Sequence, residues 1–317
     1  MRVLDASAIR ETVSITEVLD AVERAYRDVA AGRDQSPIRT TVPIDGGTLL
    51  LMPGVREGGS GTSVKLVTVM PENAKRGMPV VQASVAWFDG ASGEPLAVLD
   101  GTLLTAMRTG AASGVATRLM ARPDAAVLAI VGCGGQAAWQ VRAVCAARPI
   151  RDVRCFARNQ QSRDGFAAEM SDELGAEVSV VAASSVREAV SGADVICCAT
   201  TSATPVFEAD WVAQGSHVNG IGAFTLDMVE LPPELFARAS LVAVDSRQAT
   251  LAEAGDLVAA LRAGLLAEDG YVEVGTLDRD WVGSRDPSAI TLFKSVGLAI
   301  QDLAVTELVA GRLLATD

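Results

Sequence analysis

The amino-terminal third of the chain shows first a helical and then a strand-like pattern of apolar positions. Ser14 and Glu17 form a capping box, S-x-x-E, at the start of the helical pattern. The apolar positions of that helix are Ile15, Val18, Leu19, Val22, Tyr26 and Val29. Apolar and β-branched runs then cover residues 38–44, 48–52, 61–70, 80–88 and 96–99, separated by turn sequences. Consecutive hairpins of this kind predict a mainly antiparallel sheet.

From residue 127 onward, short apolar runs alternate with helical segments, a pattern typical of a parallel sheet. The runs expected to be strands are residues 127–131, 153–156, 178–181, 194–199, 217–221 and 241–244. An Ala-rich helix over 103–120 precedes them. In the final segment, an apolar stripe should pack back on the first domain. Its members are Val296, Ile300, Leu303 and Leu308.

These patterns predict an α/β protein of two domains, because 317 residues are many for a single core. One domain is a Rossmann-type doubly wound parallel sheet over residues 121–296. The other is an α+β domain with a mainly antiparallel sheet, formed by both chain ends, residues 1–120 and 297–317. We expect the first boundary near Pro123.

A glycine-rich turn joins the first strand of the parallel sheet to a helix, in the sequence VLAIVGCGGQA. Gly132 permits a tight turn, Gly134 lets the backbone approach a pyrophosphate, and Ala137 lets the helix pack closely on the strand. The free amides at the helix start then face a negative phosphate. This context predicts a bound dinucleotide; a plain strand-to-helix turn is the alternative.

The end of the second parallel strand selects the cofactor. An acid there would bind the ribose hydroxyls of NAD, whereas an Arg accommodates the phosphate of NADP. The chain has Phe156, Ala157, Arg158 and Asn159 at this place, and none of them is acidic. We therefore expect NADPH as the cofactor, with NADH still possible. The alternative is that Arg158 is an ordinary solvated residue. Thr200 follows a later strand, at the edge where such sheets bind ligands.

The composition limits the classes of protein to consider. Acidic residues outnumber basic ones by 39 to 27, and the formal net charge of −12 argues against nucleic acid or an anionic membrane as a partner. The first residues carry charges where a signal peptide needs an apolar core, and no apolar run approaches the ~20 residues of a membrane span. The five cysteines form no C-x-x-C pair and are typical of reduced thiols, so we expect a cytoplasmic protein.

His217 is the single histidine of the sequence. A histidine-rich metal site is therefore impossible, the cysteine and carboxylate spacings match no zinc pattern, and we expect no metal. A serine hydrolase would need His217, but the sequence has no G-x-S-x-G elbow. His217 lies in a strand-like run, GSHVNGIG, and a structural role is expected for it.

Three cations of the first domain stand apart from other charges in the sequence: Arg39, Lys65 and Arg108. A buried cation is costly unless it is paired. Arginine suits a carboxylate by bidentate bonding, and a buried lysine with a lowered pKa can donate a proton. The three cations thus favour an anionic ligand. Pairing with carboxylates from distant parts of the chain is the alternative.

The chain resembles the ornithine cyclodeaminase/mu-crystallin family over nearly its full length. The resemblance rests on the blocks VKLVTVMPENAKRGMPVVQASVAWFDGASGEPLAVLDGTLLTAMRTGAASGVAT, VGCGGQA, HVNGIGA and FKSVGLAIQDLA. It implies a homodimer whose contact lies in the non-Rossmann domain, and it implies that Arg39, Lys65 and Arg108 hold the substrate. The residues it implies near the cofactor are Thr109, Gly134, Gly135, Gln136, Arg158, Asn159, Thr200 and Ser295.

Departures from the family pattern favour one branch. Ornithine cyclodeaminases carry an Asp where this chain has Phe224, in NGIGAF, and a phenyl ring can neither accept a proton nor pair with an ammonium group. With Arg158, this resembles the reductive branch, the ketimine and Δ1-pyrroline-2-carboxylate reductases. Asp227, in FTLDMVEL, matches an acid of those members and is a candidate catalytic residue; helix capping is its alternative role.

The resulting hypothesis is an imine reductase that uses NADPH to reduce a cyclic imino acid. The substrate would be Δ1-pyrroline-2-carboxylate, giving proline, or Δ1-piperideine-2-carboxylate, giving pipecolate. An ornithine cyclodeaminase and an enzyme resembling alanine dehydrogenase, which would act on a keto acid, stay open, as does an opine-type synthase. A non-catalytic NADPH-binding protein like mu-crystallin is the alternative of another class.

Overall fold

The computed structural model describes residues 1–280 and 285–314, and the chain forms two compact units. Unit 1 comprises Met1–Arg108 and Leu298–Asp317, and unit 2 comprises Thr109–Gly297. The division falls inside the Ala-rich helix, and the sequence placed the boundary within or after that helix, near Pro123. The last three residues of the expected 297–317 segment lie outside the described residues.

Unit 1 contains a seven-stranded sheet. Its strands are β1 (Arg2–Leu4), β2 (Asp34–Gln35), β3 (Thr40–Ile44), β4 (Gly47–Arg56), β5 (Gly61–Val69), β6 (Val81–Asp89) and β7 (Pro95–Asp100). The order is β1-β7-β6-β5-β4-β2, with β3 paired to β4. β1 pairs with β7 in parallel, and the other pairs are antiparallel, as the run of hairpins predicted.

The first helices are α1 (Ala6–Thr12), α2 (Ile15–Ala30) and α3 (Gly101–Met120). The capping box of α2 is present, because the Ser14 hydroxyl accepts from the Glu17 amide and the Glu17 carboxylate accepts from the Ser14 amide. Such a box satisfies two of the amides that a helix start leaves without partners. Val18, Leu19 and Val22 of the predicted apolar face of α2 are fully buried. α3 crosses the division between the units.

Unit 2 contains an eight-stranded sheet in which every pair of strands is parallel. Its strands are β8 (Val127–Val131), β9 (Asp152–Phe156), β10 (Ser179–Ala182), β11 (Val195–Cys198), β12 (His217–Gly220), β13 (Ala239–Val244), β14 (Val272–Glu273) and β15 (Ile290–Lys294). The order β10-β9-β8-β11-β12-β15-β13-β14 changes direction between β8 and β11. In doubly wound sheets, ligands bind outside the carboxyl ends of the strands at this switch point.

The helices of unit 2 between these strands are α4 (Ala137–Ala147), α5 (Gln160–Leu174), α6 (Val186–Val190), α7 (Pro233–Arg238), α8 (Arg247–Glu253) and α9 (Gly255–Arg262). Helix α4 packs on β8 through Ala137 and Val141, which share a core with Leu128 and Ile130. This close packing is the role that the fingerprint gives to the small residue at position 137.

The final helix, α10 (Ala299–Leu313), belongs to unit 1 and packs on α2, β4 and β5. Ile300 and Leu303 of the predicted stripe are fully buried. Gly54 of β4 permits the contact, because a Cβ atom there would lie 2.8 Å from the carbonyl oxygen of Ala299. The predicted fold class is confirmed, including an antiparallel-rich domain assembled from both chain ends.

The two faces of the unit 1 sheet differ in their environment. Leu50, Met52 and Val67 point to the face covered by α10 and are buried. On the opposite face, Leu66 is 45% exposed and Val55 is 41% exposed, although Leu66 lies on the central strand β5. An antiparallel sheet with a solvated second face normally carries polar residues there.

Candidate active site

The fingerprint turn of unit 2 has the geometry that its glycines predicted. Gly132 has φ +100°, and a Cβ atom there would lie 2.7 Å from the carbonyl oxygen of Ala199, so both backbone and space require glycine. At Gly134 and Gly135, an added Cβ would meet nothing within 4 Å, so the turn is open on that side. Helix α4 begins directly after Gln136 without a side-chain cap. Its first amides can therefore bind a phosphate.

Arg158 and Asn159 follow β9, next to the fingerprint turn in the sheet order. Arg158 is exposed, and within the described residues its side chain makes no hydrogen bond or ion pair. Asn159 caps α5, because its Oδ1 accepts from the Ser162 amide at 2.8 Å. A guanidinium and an amide group thus stand where the ribose of a dinucleotide is read.

The other expected cofactor residues of unit 2 are Thr109, Thr200 and Ser295. Thr109 is buried in α3, whereas Thr200 and Ser295 directly follow the carboxyl ends of β11 and β15. The Ser295 hydroxyl donates to Asp245 Oδ2 at 2.7 Å, and the same oxygen accepts from the amides of Val296 and Gly297. Asp245, which the sequence reasoning missed, therefore fixes the turn that presents Ser295.

A buried carboxylate fixes Thr200 in the same manner. Glu230 Oε2 accepts from the Thr200 amide at 2.9 Å and from the Thr200 hydroxyl at 3.1 Å. Its Oε1 accepts from the amides of Gly222 and Ala223 at 2.7 and 3.1 Å. Sequence reasoning missed Glu230, although it lies three residues after Asp227 in the quoted FTLDMVEL segment.

Lys294 and Asp256 complete a fully buried charged group around Glu230. Lys294 Nζ lies 3.3 Å from Asp256 Oδ2 and 3.8 Å from Glu230 Oε1, and it donates to the Ala223 carbonyl at 2.7 Å. Burial raises the pKa of Glu230 to about 7, against the opposing effect of the Lys294 ammonium. The charge of Glu230 at neutral pH therefore depends on that cation.

In unit 1, the structure brings Lys65 and Arg108 together on one carboxylate, Asp302. Lys65 Nζ lies 2.7 Å from Asp302 Oδ2, and Arg108 Nε donates to Asp302 Oδ1 at 3.1 Å. All three side chains are buried. The alternative of pairing by a distant carboxylate is thus realised for two of the three cations. Sequence reasoning missed Asp302; its signal is an acid inside the apolar stripe of the last helix, IQDLA.

A glutamine extends this group to α2. Gln301 Oε1 accepts from Arg108 Nη1 at 3.0 Å, and Gln301 Nε2 donates to the Tyr26 hydroxyl at 2.6 Å. Within the described residues, Nη2 of Arg108 makes no hydrogen bond. The guanidinium is therefore held at Nε by Asp302 and at Nη1 by Gln301, and its Nη2 group can bind a ligand.

Burial lowers the pKa of Lys65 to about 7, with a further lowering by the charge of Arg108. The Asp302 carboxylate opposes this lowering of the pKa, and the charge of half-buried Arg39 adds to it. Arg39, Lys65 and Arg108 thus act on one another electrostatically, and Asp302 is the anion in direct contact with two of them. Since one carboxylate balances one positive charge, the group favours a further anion.

Asp227 and Phe224 lie in the segment after β12. Phe224 is half-buried, whereas Asp227 is exposed in a turn. The next helix, α7, begins only at Pro233, so Asp227 does not cap a helix. The structure gives its carboxylate no partner among the described residues, and its assignment as a catalytic residue stays a prediction.

His217 is a buried structural residue, as expected. Its ring nitrogens lie 2.9 Å from Thr291 Oγ1 and 3.1 Å from Asn219 Oδ1, and burial lowers its pKa to about 3. Burial also raises the pKa of Cys145 to about 11 and that of Cys197 to about 12, so neither is a thiolate at neutral pH. Within residues 1–280 and 285–314, we find no group of His, Cys, Asp and Glu suited to a metal ion and no helix able to cross a membrane.

The sequence model of the ornithine cyclodeaminase/mu-crystallin family matches residues 1–317. The chain therefore belongs to that family, as the motifs indicated. It is 39% identical over 311 residues to a Δ1-pyrroline-2-carboxylate reductase of Bacillus cereus, covering 97% of this chain and 95% of the relative. It is 34% identical to the ketimine reductase mu-crystallin of Mus musculus, covering 96% of this chain and 95% of the relative.

A solved structure with the same architecture is that of Δ1-pyrroline-2-carboxylate reductase from Thermococcus litoralis, in complex with NADH and L-proline. The TM-score is 0.92 at 37% identity, over 100% of this chain and 98% of that chain. These relatives confirm the predicted enzyme class, an NAD(P)H-dependent oxidoreductase acting on carbon–nitrogen bonds.

Proposed function

We propose that the protein reduces Δ1-pyrroline-2-carboxylate to proline with NADPH, and that Δ1-piperideine-2-carboxylate, one methylene larger, is a second substrate. The observation that carries the proposal is the buried group of Lys65, Arg108 and Asp302, in which two cations share one carboxylate. An imino acid supplies the missing negative charge with its carboxylate. The reductases reported above, which are 34–39% identical to this chain, support the same reaction.

Arg108 and Arg39 bind the substrate carboxylate in this proposal. Asp302 and Gln301 hold the Arg108 guanidinium in place before a ligand arrives, so little side-chain freedom is lost on binding. A fixed guanidinium also fixes the ring that it binds, and orientation of this kind lowers the barrier of a two-reactant step.

Lys65 donates the proton. With a pKa of about 7, its ammonium can lose a proton near neutral pH more readily than an ordinary lysine. A bound NADPH would supply a hydride for the imine carbon, and Lys65 would donate a proton to the imine nitrogen, so that the C=N bond would become a C–N bond. Lys65 is reprotonated from water, and the sum is one imino acid, one NADPH and one proton consumed.

The reductive reaction is favoured over the cyclodeaminase by Phe224. A phenyl ring at this place offers no carboxylate for the side-chain amine of ornithine. The alanine dehydrogenase and opine-type alternatives would make different products, and a non-catalytic protein would make none, so analysis of the products separates them.

The direct test mixes purified protein with NADPH and freshly made Δ1-pyrroline-2-carboxylate and follows the loss of nicotinamide absorbance and the formation of proline. We expect turnover, and a Lys65→Met variant should lose it by roughly 10²–10⁴-fold, as general acids do. Gln82→Met, at an exposed position of the same sheet, is the control and should retain activity.

Proline and ammonia from ornithine with NAD, or alanine from pyruvate, ammonia and NADH, would instead assign an alternative enzyme. Tight NADPH binding without turnover on any imino or keto acid would assign a binding protein. Undiminished turnover by Lys65→Met would remove the proton-donor role whichever substrate is used.

The preference for NADPH over NADH is proposed from Arg158. It stands exposed beyond β9, and residues 156–159 include no acid that would repel a ribose phosphate. The Thermococcus litoralis relative was solved with NADH, so we expect this chain also to accept NADH at lower efficiency.

Replacing Arg158 with Ala should lower kcat/KM for NADPH by about 10–100-fold, because a hydrogen bond to a charged group contributes about 1.5–3 kcal/mol. Efficiency with NADH should change little. Arg151→Ala, an exposed arginine at the other end of β9, is the matched control. Equal losses with the two cofactors would contradict the assignment.

A homodimer is proposed from the uncovered face of the unit 1 sheet. Apolar side chains on this face include Val42, Val55 and Leu66, between 39% and 45% exposed. Contiguous exposed apolar surface of this kind marks an interface. A second copy of the chain is the occupant proposed, because the resemblance to the family implies a dimer contact in this domain.

Leu66→Glu should convert the protein from dimer to monomer in size-exclusion chromatography with light scattering, because two glutamates would meet across a symmetric interface. Leu251→Glu, at a leucine of α8 that is 48% exposed, is the matched control and should leave the dimer intact. A monomeric wild-type protein, or a dimeric Leu66→Glu variant, would contradict the proposal.

A cytoplasmic location remains proposed from the five cysteines, all of which are free thiols.

A further inference from the structure

Three turns at the carboxyl edge of the unit 2 sheet are in backbone contact. A Cβ atom at Gly222, after β12, would lie 2.1 Å from the amide nitrogen of Thr200, after β11. A Cβ atom at Gly132, after β8, would lie 2.7 Å from the carbonyl oxygen of Ala199. The fingerprint turn, the Ala199–Thr200 turn and the Gly222–Ala223 turn therefore form a continuous row, with glycine at both contacts.

Glu230 binds two of the three turns with one carboxylate. Its two oxygens accept four hydrogen bonds, two from Thr200 and two from the Gly222 and Ala223 amides. Three of these bonds come from backbone amides and the fourth from the Thr200 hydroxyl, so this buried carboxylate joins the two turns directly. Its position therefore sets the spacing of the turns.

Lys294 and Asp256 complete the buried charged group around this carboxylate. Lys294 donates to the Ala223 carbonyl and so binds the same turn as Glu230. The ammonium lies between two carboxylates, at 3.3 and 3.8 Å, so the group carries a net charge of about −1 when Glu230 is ionised. Burial of an excess charge is costly and is retained where it positions something.

We propose that Glu230, with Lys294 and Asp256, is a positioning cluster that sets the edge of the sheet on which NADPH binds. The inference rests on the proposed function, since NADPH is its ligand. Among the described residues, the hydrogen bonds of the cluster go to the turns after β11 and β12 and not to the fingerprint glycines. It acts through Thr200 and through the contact of Ala199 with Gly132.

The test is Glu230→Gln, with the dissociation constant for NADPH measured by nicotinamide fluorescence. One carboxylate oxygen becomes an NH₂ group that faces backbone N–H donors, so one turn must move. Lys294 remains paired with Asp256, which leaves no unpaired charge and preserves the fold. We expect NADPH binding to weaken by about tenfold or more, because buried donors lose their acceptor.

Asp194→Asn is the matched control. Asp194 Oδ2 accepts from the amides of Ala126 and Val127, at 2.8 and 3.0 Å, so it binds backbone in the same manner at the amino end of β8. The Asp194→Asn variant should have a lower melting temperature, as the Glu230→Gln variant should, but its dissociation constant for NADPH should be unchanged. This separates a positioning role from a loss of stability in general.

A second measurement uses the wild-type protein, so it can be made even if the Glu230→Gln variant fails to fold. Amide hydrogen exchange at Thr200, Gly222 and Ala223 should slow when NADPH binds, because these turns belong to the binding edge. Exchange that NADPH leaves unchanged would overturn the inference.

Unchanged affinity in Glu230→Gln, or an equal loss in Asp194→Asn, would overturn the positioning role while the proposed function stands. A wild-type protein that binds neither NADPH nor NADH would overturn both.

Discussion

Burial of charge is the constraint on which both halves of this protein depend. In unit 1, one carboxylate on α10 serves two cations that arrive from β5 and α3, and the deficit of negative charge is what makes the group suited to a carboxylate ligand. Burial lowers the pKa of Lys65 to about 7, and the neighbouring charge of Arg108 lowers it further. A single arrangement therefore provides affinity for the imino acid and a proton donor for its nitrogen. Had a second acid balanced the cations, both properties would be weakened.

In unit 2, carboxylates hold the ends of parallel strands. Asp194 binds amides at the amino end of β8, Glu230 binds the turns after β11 and β12, and Asp245 binds the turn after β15. Each satisfies two or more backbone amides that the sheet leaves without partners. Small residues at the contacts, such as Gly132 and Gly222, allow the turns to approach, and the acids fix them there. The open side of Gly134 is left for a ligand.

Local patterns were sufficient for the elements of the fold and for the fingerprint. The glycine spacing, for example, predicted the turn before α4. Partners at long range were not predictable. Asp302 lies 194 residues from Arg108 in sequence, and Glu230 lies 30 residues from Thr200. A lone acid in an apolar stripe indicates a buried charge, but it does not indicate which cation pairs with that acid. Similarly, the apolar runs gave the strands, whereas the order that places β11 beside β8 depends on the packing of the whole sheet.

The central claim is that Lys65 is a buried lysine poised to lose its proton and stabilised by an anionic ligand. Nuclear magnetic resonance of lysine labelled with ¹³C at Cε, assigned by comparison with Lys65→Met, measures its titration directly. The account predicts a pKa of about 7 in the free protein. Addition of pyrrole-2-carboxylate, which has the carboxylate of the proposed substrate and no charge on its ring nitrogen, should raise that pKa, because the carboxylate favours the ammonium form. A pKa near the ordinary lysine value of 10.5, unchanged by pyrrole-2-carboxylate, would contradict it.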